Sequence, residues 1–141
     1  MLLHIVARGK IGRSPEADLV ARYLKRIHWP TKLTELPERR GKLPDLPTGS
    51  VTVVLDERGK ALTSTELAMT LEKWRDGGKR EAQFLIGAAD GHDEERLLLS
   101  ADLLLSFGPA TWPHLLVRAM LAEQLFRATS ILANHPYHRE G

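Results

Sequence analysis

The chain has 141 residues, enough for one domain with a substantial core, and its 43% hydrophobic and 27% charged residues are ordinary for a globular protein. Cysteine is absent, which excludes disulfides, thiolate zinc sites, iron–sulfur clusters and cysteine nucleophiles. The formal charge is only +2, yet Lys10, Arg13, Arg22, Lys25, Arg26, Arg39, Arg40 and Lys42 crowd the first third, where they read either as a solvated face or as a polyanion footprint.

Leu2–Ala7 is short and apolar and reads as a strand, with a turn over Gly9–Gly12. It is too short and interrupted for a signal peptide. Ser14-Pro15-Glu16 opens a helix well: a serine N-cap, proline at the first helical position and an acid in the first turn. Ala17, Val20, Ala21, Leu24 and Ile27 then recur at helical spacing, and the helix stops before Trp29-Pro30. Lys32–Leu36 alternates weakly, as a marginal strand would. Pro37–Gly49, with three prolines and two glycines, is a loop and not a linker, since neither side could fold alone.

Val51–Leu55 is the clearest buried strand, with Asp56–Gly59 expected to close it. Thr63 or Ser64 caps the next helix, which carries Leu67, Leu71 and Trp74 on one face and ends at Gly77-Gly78. Ala82–Ile86 is a strand and Gly87–Gly91 its turn. His92–Ser100 is expected to be helical, and Leu103–Phe107 is the last strand. Leu97–Phe107 is the most apolar stretch, but Asp102 breaks it and it is too short to span a bilayer. Pro113 or His114 opens the final helix, which runs to about Ala133. Strands alternating with helices predict a single α/β domain, 1–141, built on a parallel sheet with helices on both faces. A soluble, cytoplasmic protein is expected.

In open parallel sheets ligands bind beyond the carboxyl ends of the strands. Three loops reach that edge: Leu55–Gly59, Gly87–Gly91 and Gly108–Pro113. They are rich in glycine, alanine and proline and poor in cations. No G-x-G-x-x-G run and no Gly-Lys-Ser/Thr occurs, so an adenosine without phosphates fits them better than a nucleoside di- or triphosphate. Taken alone, glycines after strands are also simply turns. Asp56, Glu57 and Asp90 could work as an acid and base, but acids are common in turns. No G-x-S-x-G elbow or H-E-x-x-H helix is present. His114, His135 and His138 are candidate metal ligands with poor spacing and no cysteine to assist, and no metal is expected.

The final helix is apolar nearly all round, from Leu115 to Leu132, interrupted by Arg118, Glu123 and Arg127. Such a helix must be covered on all sides. It is either an internal core helix or the face of a homodimer, and the homodimer through this helix is the expectation. Beyond it the chain ends in Asn134-His-Pro-Tyr-His-Arg-Glu140, a terminus with too much chemistry to be a frayed end.

Four stretches in order carry a resemblance: Val6–Lys10; Val54–Lys60; Phe84–Gly91; and Leu105–His114 with Arg118, Glu123-Gln124, Arg127 and His135–Arg139. Across essentially its whole length the chain resembles the ribosomal RNA large-subunit methyltransferase H family of the SPOUT superfamily. The Thr-x-Pro-His entry and the Tyr-His tail are the most specific parts of the match. The resemblance implies an α/β SPOUT fold whose C-terminal segment threads a trefoil knot, S-adenosyl-L-methionine as methyl donor, a homodimer, and a pseudouridine of large-subunit ribosomal RNA methylated at N3. Position by position it implies donor contacts at Leu55, Gly87, Phe107, Gly108, Pro109, Ala110, Thr111 and Trp112. It departs from the family in reading Gly87-Ala88 where Gly-Gly is usual, and in a short 37–49 region that lacks an expected helix.

For the chemistry, loss of the imide proton at N3 leaves an anion, so a base or a cationic stabiliser helps. His138 is the candidate base, Arg139 the candidate stabiliser, and Tyr137 a group to stack on or hydrogen-bond the target base; a passive sealing role for the tail is the alternative. The tail can also serve the partner's donor site in a dimer. Lys10, Arg13, Arg22, Lys25 and Arg26 are candidate phosphate contacts to ribosomal RNA in the large subunit or the assembled ribosome. The rival readings are a non-catalytic RNA- or ribosome-binding module, a SPOUT methyltransferase acting on transfer RNA and, third, a metal-dependent hydrolase.

Overall fold

A computed structural model of the chain describes residues 1–37, 43–87 and 99–138. The elements run β1 (Leu2–Arg8), α1 (Pro15–Arg26), β2 (Thr31–Leu36), β3 (Val51–Lys60), α2 (Ser64–Asp76), β4 (Glu81–Ile86), β5 (Leu103–Leu105) and α3 (His114–Leu132). All five strands are parallel, in the order β2-β1-β4-β3-β5. The weak alternation of β2 reflects its place at the edge, where only one neighbour fixes it. Of the helix expected over His92–Ser100, residues 99 and 100 are helical; 92–98, the turn 88–91 with its Ala88, the basic residues Arg39, Arg40 and Lys42, and Arg139 lie outside the described residues. Residues 43–50 contain no helix.

Local chemistry sets the helix starts. Ser14 Oγ accepts from Ala17 N–H at 3.1 Å with Pro15 at the first helical position, and Thr63 forms a capping box with Glu66. Each such cap is worth about 1 kcal/mol. Leu3, Ile5, Val53, Phe84 and Leu105 from the strands pack with Leu67, Leu71, Leu121 and Leu125 from the helices in one core cluster. Helix α3 lies against both α1 and α2 over that face of the sheet. The opposite face carries a smaller cluster, Val6, Val54 and Leu85, with Ala101 and Leu104 against it. Among the described residues all three long helices therefore cover the same face.

Two expectations change. First, the cover that α3 needs is found within the chain: from Val117 to Leu132 every residue is buried or half-buried, between α1, α2 and the sheet. An all-apolar helix signals burial but not which molecule does the burying. Second, Asp56–Gly59 does not end β3. Leu55 and Lys60 both pair with Leu105, so 56–59 bulge from the ladder before the strand resumes. Gly59 allows this because a Cβ there would meet the Leu104 backbone at 2.6 Å.

Candidate active site

The carboxyl ends of β3, β4 and β5 border a cleft of about 460 Å³, a size suited to a small ligand. Leu55, Gly87, Phe107, Gly108, Ala110, Thr111 and Trp112 line it; of the eight candidate donor contacts, only Pro109 does not. The three strand-end loops converge because β3 sits between β4 and β5 in the sheet.

The loop after β5 is held in shape by its own hydrogen bonds. Ser106, buried, accepts from Gly108 N–H at 3.0 Å and donates to Gly108 O at 2.8 Å. Trp112 Nε1 donates to Phe107 O at 3.3 Å, and Thr111 Oγ1 donates to Glu57 Oε2 at 2.7 Å. These bonds tie the loop to itself and to the β3 bulge across the cleft. Ser106 was not among the candidate site residues; a serine two residues before a glycine at a strand end was the available signal. Ser106→Ala strands the Gly108 N–H, and we expect a stability loss of about 1–3 kcal/mol, read as a lowered thermal midpoint.

Asp56, Glu57 and Arg58, from the loop Leu55–Gly59 expected at this edge, also line the cleft, though none was named as a donor contact. Asp56 Oδ1 accepts from Arg58 N at 2.8 Å and Nε at 2.9 Å, and Oδ2 accepts from Nη2 at 2.8 Å. The Arg58 hydrogen bonds hold the Asp56 carboxyl below its ordinary range, against a smaller opposing effect of burial. Asp56 is an anion at neutral pH. Because its folded-state pKa is depressed, its stabilising effect is present above the unfolded value and lost as pH falls through the folded one. Acid unfolding of Asp56→Asn should accordingly show a weaker dependence on pH in the carboxylate range than the parent.

Gly87 adopts φ +58°, and a Cβ there would lie 2.6 Å from His114 Nδ1. The His114 ring thus lies close over Gly87, at the start of α3.

The tail residues stand elsewhere. Asn134, at φ 56°, closes α3 with His135 N–H donating to Ser130 O at 2.9 Å, and turns the chain back. Tyr137 then packs with ring centroids 4.5 Å from Phe126, beneath the Arg127 guanidinium at 4.8 Å, its hydroxyl donating to Glu123 Oε1 at 3.0 Å. Burial first, then hydrogen bonding to Tyr23 and Glu123, pushes its phenol up to about 12, so it stays protonated at neutral pH. His138 Nδ1 lies 3.2 Å from Arg127 Nη1. A guanidinium only donates, so Nδ1 accepts and Nε2 carries the proton. Tyr137 and His138 do not line the cleft. His114 opens α3 at the cleft, whereas the tail folds back onto Glu123, Phe126 and Arg127, roughly 14–20 Å further along the helix. His135, beside Phe126, and His138, beside Arg127, stand about three turns of α3 from His114, too far to share a metal with it, and no group of three or more potential ligands forms among the described residues.

Lys10, Arg13, Arg22, Lys25 and Arg26 are all exposed. Lys10 and Arg13 stand before α1, Arg22 on its later half, and Lys25 and Arg26 at its end, where the Arg26 guanidinium lies 5.8 Å from the Phe126 ring centroid beside the tail. Among the described residues no helix is long and apolar enough to cross a membrane.

Five parallel strands with a cleft at their carboxyl ends define an α/β fold of the kind seen in a solved relative, a probable methylase family protein from Haemophilus influenzae. That chain aligns over 98% of this one and 70% of its own length, with a TM-score of 0.57 and 14% identity, a likeness of fold alone. The model of the family described as "Predicted SPOUT methyltransferase" matches residues 1–138. At the sequence level the chain is 67% identical over 141 residues to ribosomal RNA large subunit methyltransferase H of Rhizorhabdus wittichii, and 68% identical over 142 residues to the protein of that name from Novosphingobium aromaticivorans, each match covering the whole of both proteins. The chain belongs to the ribosomal RNA large subunit methyltransferase H family of SPOUT methyltransferases.

Proposed function

We propose that this protein transfers a methyl group from S-adenosyl-L-methionine to N3 of a pseudouridine in large-subunit ribosomal RNA, in the cytoplasm, as a homodimer acting on the subunit or the assembled ribosome. The observation that carries this reading is the single cleft formed by the three strand-end loops, in a chain two-thirds identical to relatives named for that class of reaction.

The residues present fit such a donor. The walls from Leu55, Phe107, Ala110 and Trp112 suit an adenosine, and backbone groups of the β5 loop are available to its ring edge. Asp56 and Glu57 set a negative potential for a sulfonium and an ammonium group. The donor supplies a methyl group already activated for in-line displacement. What this chain must add is position and help with the N3 proton.

For that help the reading uses the tail across the dimer. Tyr137 and His138 lie along α3, away from their own cleft, so the tail, with Arg139, is assigned to the partner's cleft, and Lys25 and Arg26, at the end of α1, to RNA phosphates. Tyr137 contributes a hydroxyl and a ring. His138 can take a proton only after Nδ1 releases Arg127; while that contact holds, its Nε2–H donates to developing negative charge. The dimer contact is assigned to α3, with the tail side of one chain meeting the cleft end of the other, where Trp112 and Leu116 are 41% and 38% exposed. The trefoil knot and a helix on the second face belong to the same reading.

Two variants test the sharing of sites. His138→Ala and Gly87→Ala, each impaired alone, should on mixing and re-equilibration recover roughly a quarter of parental activity, because half the dimers are mixed and each carries one intact site. Sites confined to one chain would recover nothing. The function is tested with tritiated S-adenosylmethionine and ribosomes lacking the modification. Label in large-subunit RNA at pseudouridine N3 is expected; label in transfer RNA alone, or none, would reject it in favour of a transfer-RNA enzyme or a non-catalytic ribosome-binding module.

A further inference from the structure

Beside the donor cleft lies a second one of about 570 Å³, bordered by Arg8, Lys10, Glu16 and the first residues of α3. The two clefts share Gly87 and His114. The His114 imidazole, close over the Gly87 Cα, is the partition between them.

Three features set this second cleft apart. The first is topological. Strand β1 connects outward to β2, while β4 connects across β3 to β5, so the chain direction reverses between the neighbours β1 and β4. Crevices at such a reversal are where open parallel sheets bind ligands, and the second cleft opens there. The second is electrostatic. Among the described residues it carries two cations, Arg8 and Lys10, against one carboxylate, Glu16, whereas the donor cleft carries two carboxylates against one cation, Arg58. The third is rigidity. The loop after β1 is held from below by Arg118, fully buried, whose Nη2 donates to Arg8 O at 3.3 Å and Gly9 O at 3.1 Å and whose Nη1 meets Glu35 Oε2 at 2.6 Å. Glu35 Oε2 also accepts from Ile11 N–H at 2.7 Å, and Gly9 N–H donates to Leu36 O at 2.7 Å. A loop so tied keeps its shape before any ligand arrives, which lowers the cost of binding.

We infer that the second cleft is the acceptor site: a nucleotide of the RNA enters with its phosphate against Arg8 and Lys10 and its base against His114, whose ring aims it at the donor cleft. This rests on the proposed methyl transfer, which requires acceptor and donor to touch across a common wall. His114 is then a contact and positioning residue for the acceptor, and Gly87 leaves the space that lets its ring stand there.

The test uses Lys10→Ala and His114→Ala, both at exposed positions, with two binding measurements and one rate. Donor affinity is read by calorimetry with S-adenosylmethionine, and ribosome affinity by co-sedimentation across a salt series. Lys10→Ala should keep donor affinity within twofold, weaken ribosome binding and reduce the slope of log affinity against log salt by about one. His114→Ala should keep both affinities within a few-fold and lower kcat at least tenfold. Lys10→Ala with ribosome binding and salt slope unchanged would overturn the inference, as would weakened donor binding alone, which would give the cleft to the donor's carboxylate. Should His114→Ala fail to fold, Lys10→Ala decides. If the parent binds no S-adenosylmethionine at all, the proposed function itself fails, an outcome separate from any effect of the variants.

Discussion

Gly87→Ala is expected to weaken binding of S-adenosylmethionine more than any other single-methyl change in this chain. The φ of +58° alone disfavours a side chain by about 1–2 kcal/mol, roughly tenfold in affinity if the loop must keep its shape to bind. The larger effect is steric: the added methyl would stand 2.6 Å from His114 Nδ1 and 2.8 Å from Cε1, so the ring must leave its place between the clefts. We expect a loss of about a hundredfold by calorimetry. The double variant Gly87→Ala, His114→Ala should recover part of it, since only the backbone cost remains. A lone Gly87→Ala that binds the donor normally would mean that the loop is not pressed by either constraint.

The largest stability effect is expected at Arg118. Its side chain has no solvent exposure and its Nε finds no hydrogen-bond partner among the described residues, yet it joins α3 to β2 and to the loop after β1. Removing one partner of a buried ion pair costs about 3–5 kcal/mol. Glu35, 29% exposed at its side chain, can regain some water, which argues for the lower part of that range. Arg118→Ala should therefore shift the denaturant midpoint by about 3 kcal/mol with an unchanged slope. Such a loss is a large fraction of a small domain's stability. Arg118→Met separates packing from charge: stability at or above the parental level would show that the ion pair shapes the loop without stabilising the fold.

Elements governed by local chemistry were legible from the residues. Ser14-Pro15 and Thr63 start α1 and α2 where they stand in the sequence, and α3 ends within a residue or so of its expected end because Asn134 closes it. That the ends of β3, β4 and β5 border one cleft followed from the strand ends alone. What depended on distant partners did not. No periodicity reveals that Leu55 and Lys60 share a partner on β5, so a bulge was taken for a turn. The apolar run of α3 announced burial without naming what supplies it; within the chain, α1, α2 and the sheet cover one side of it. The tail showed its chemistry and hid its position; only the fold-back at Asn134 reveals that Tyr137 and His138 stand on Glu123, Phe126 and Arg127, outside their own cleft. The role of Arg118 was hidden likewise, since an isolated charge in an apolar helix does not name the loop it holds.

The account stands or falls on what fills the cleft beyond β3, β4 and β5. A crystal structure with S-adenosylhomocysteine is the direct measurement. The adenosyl group should lie between Leu55, Gly87 and the 107–112 loop, with its sulfur turned toward His114 and the neighbouring cation-lined cleft. Density for the nucleoside at any other surface, or an empty cleft at saturating ligand, would contradict it.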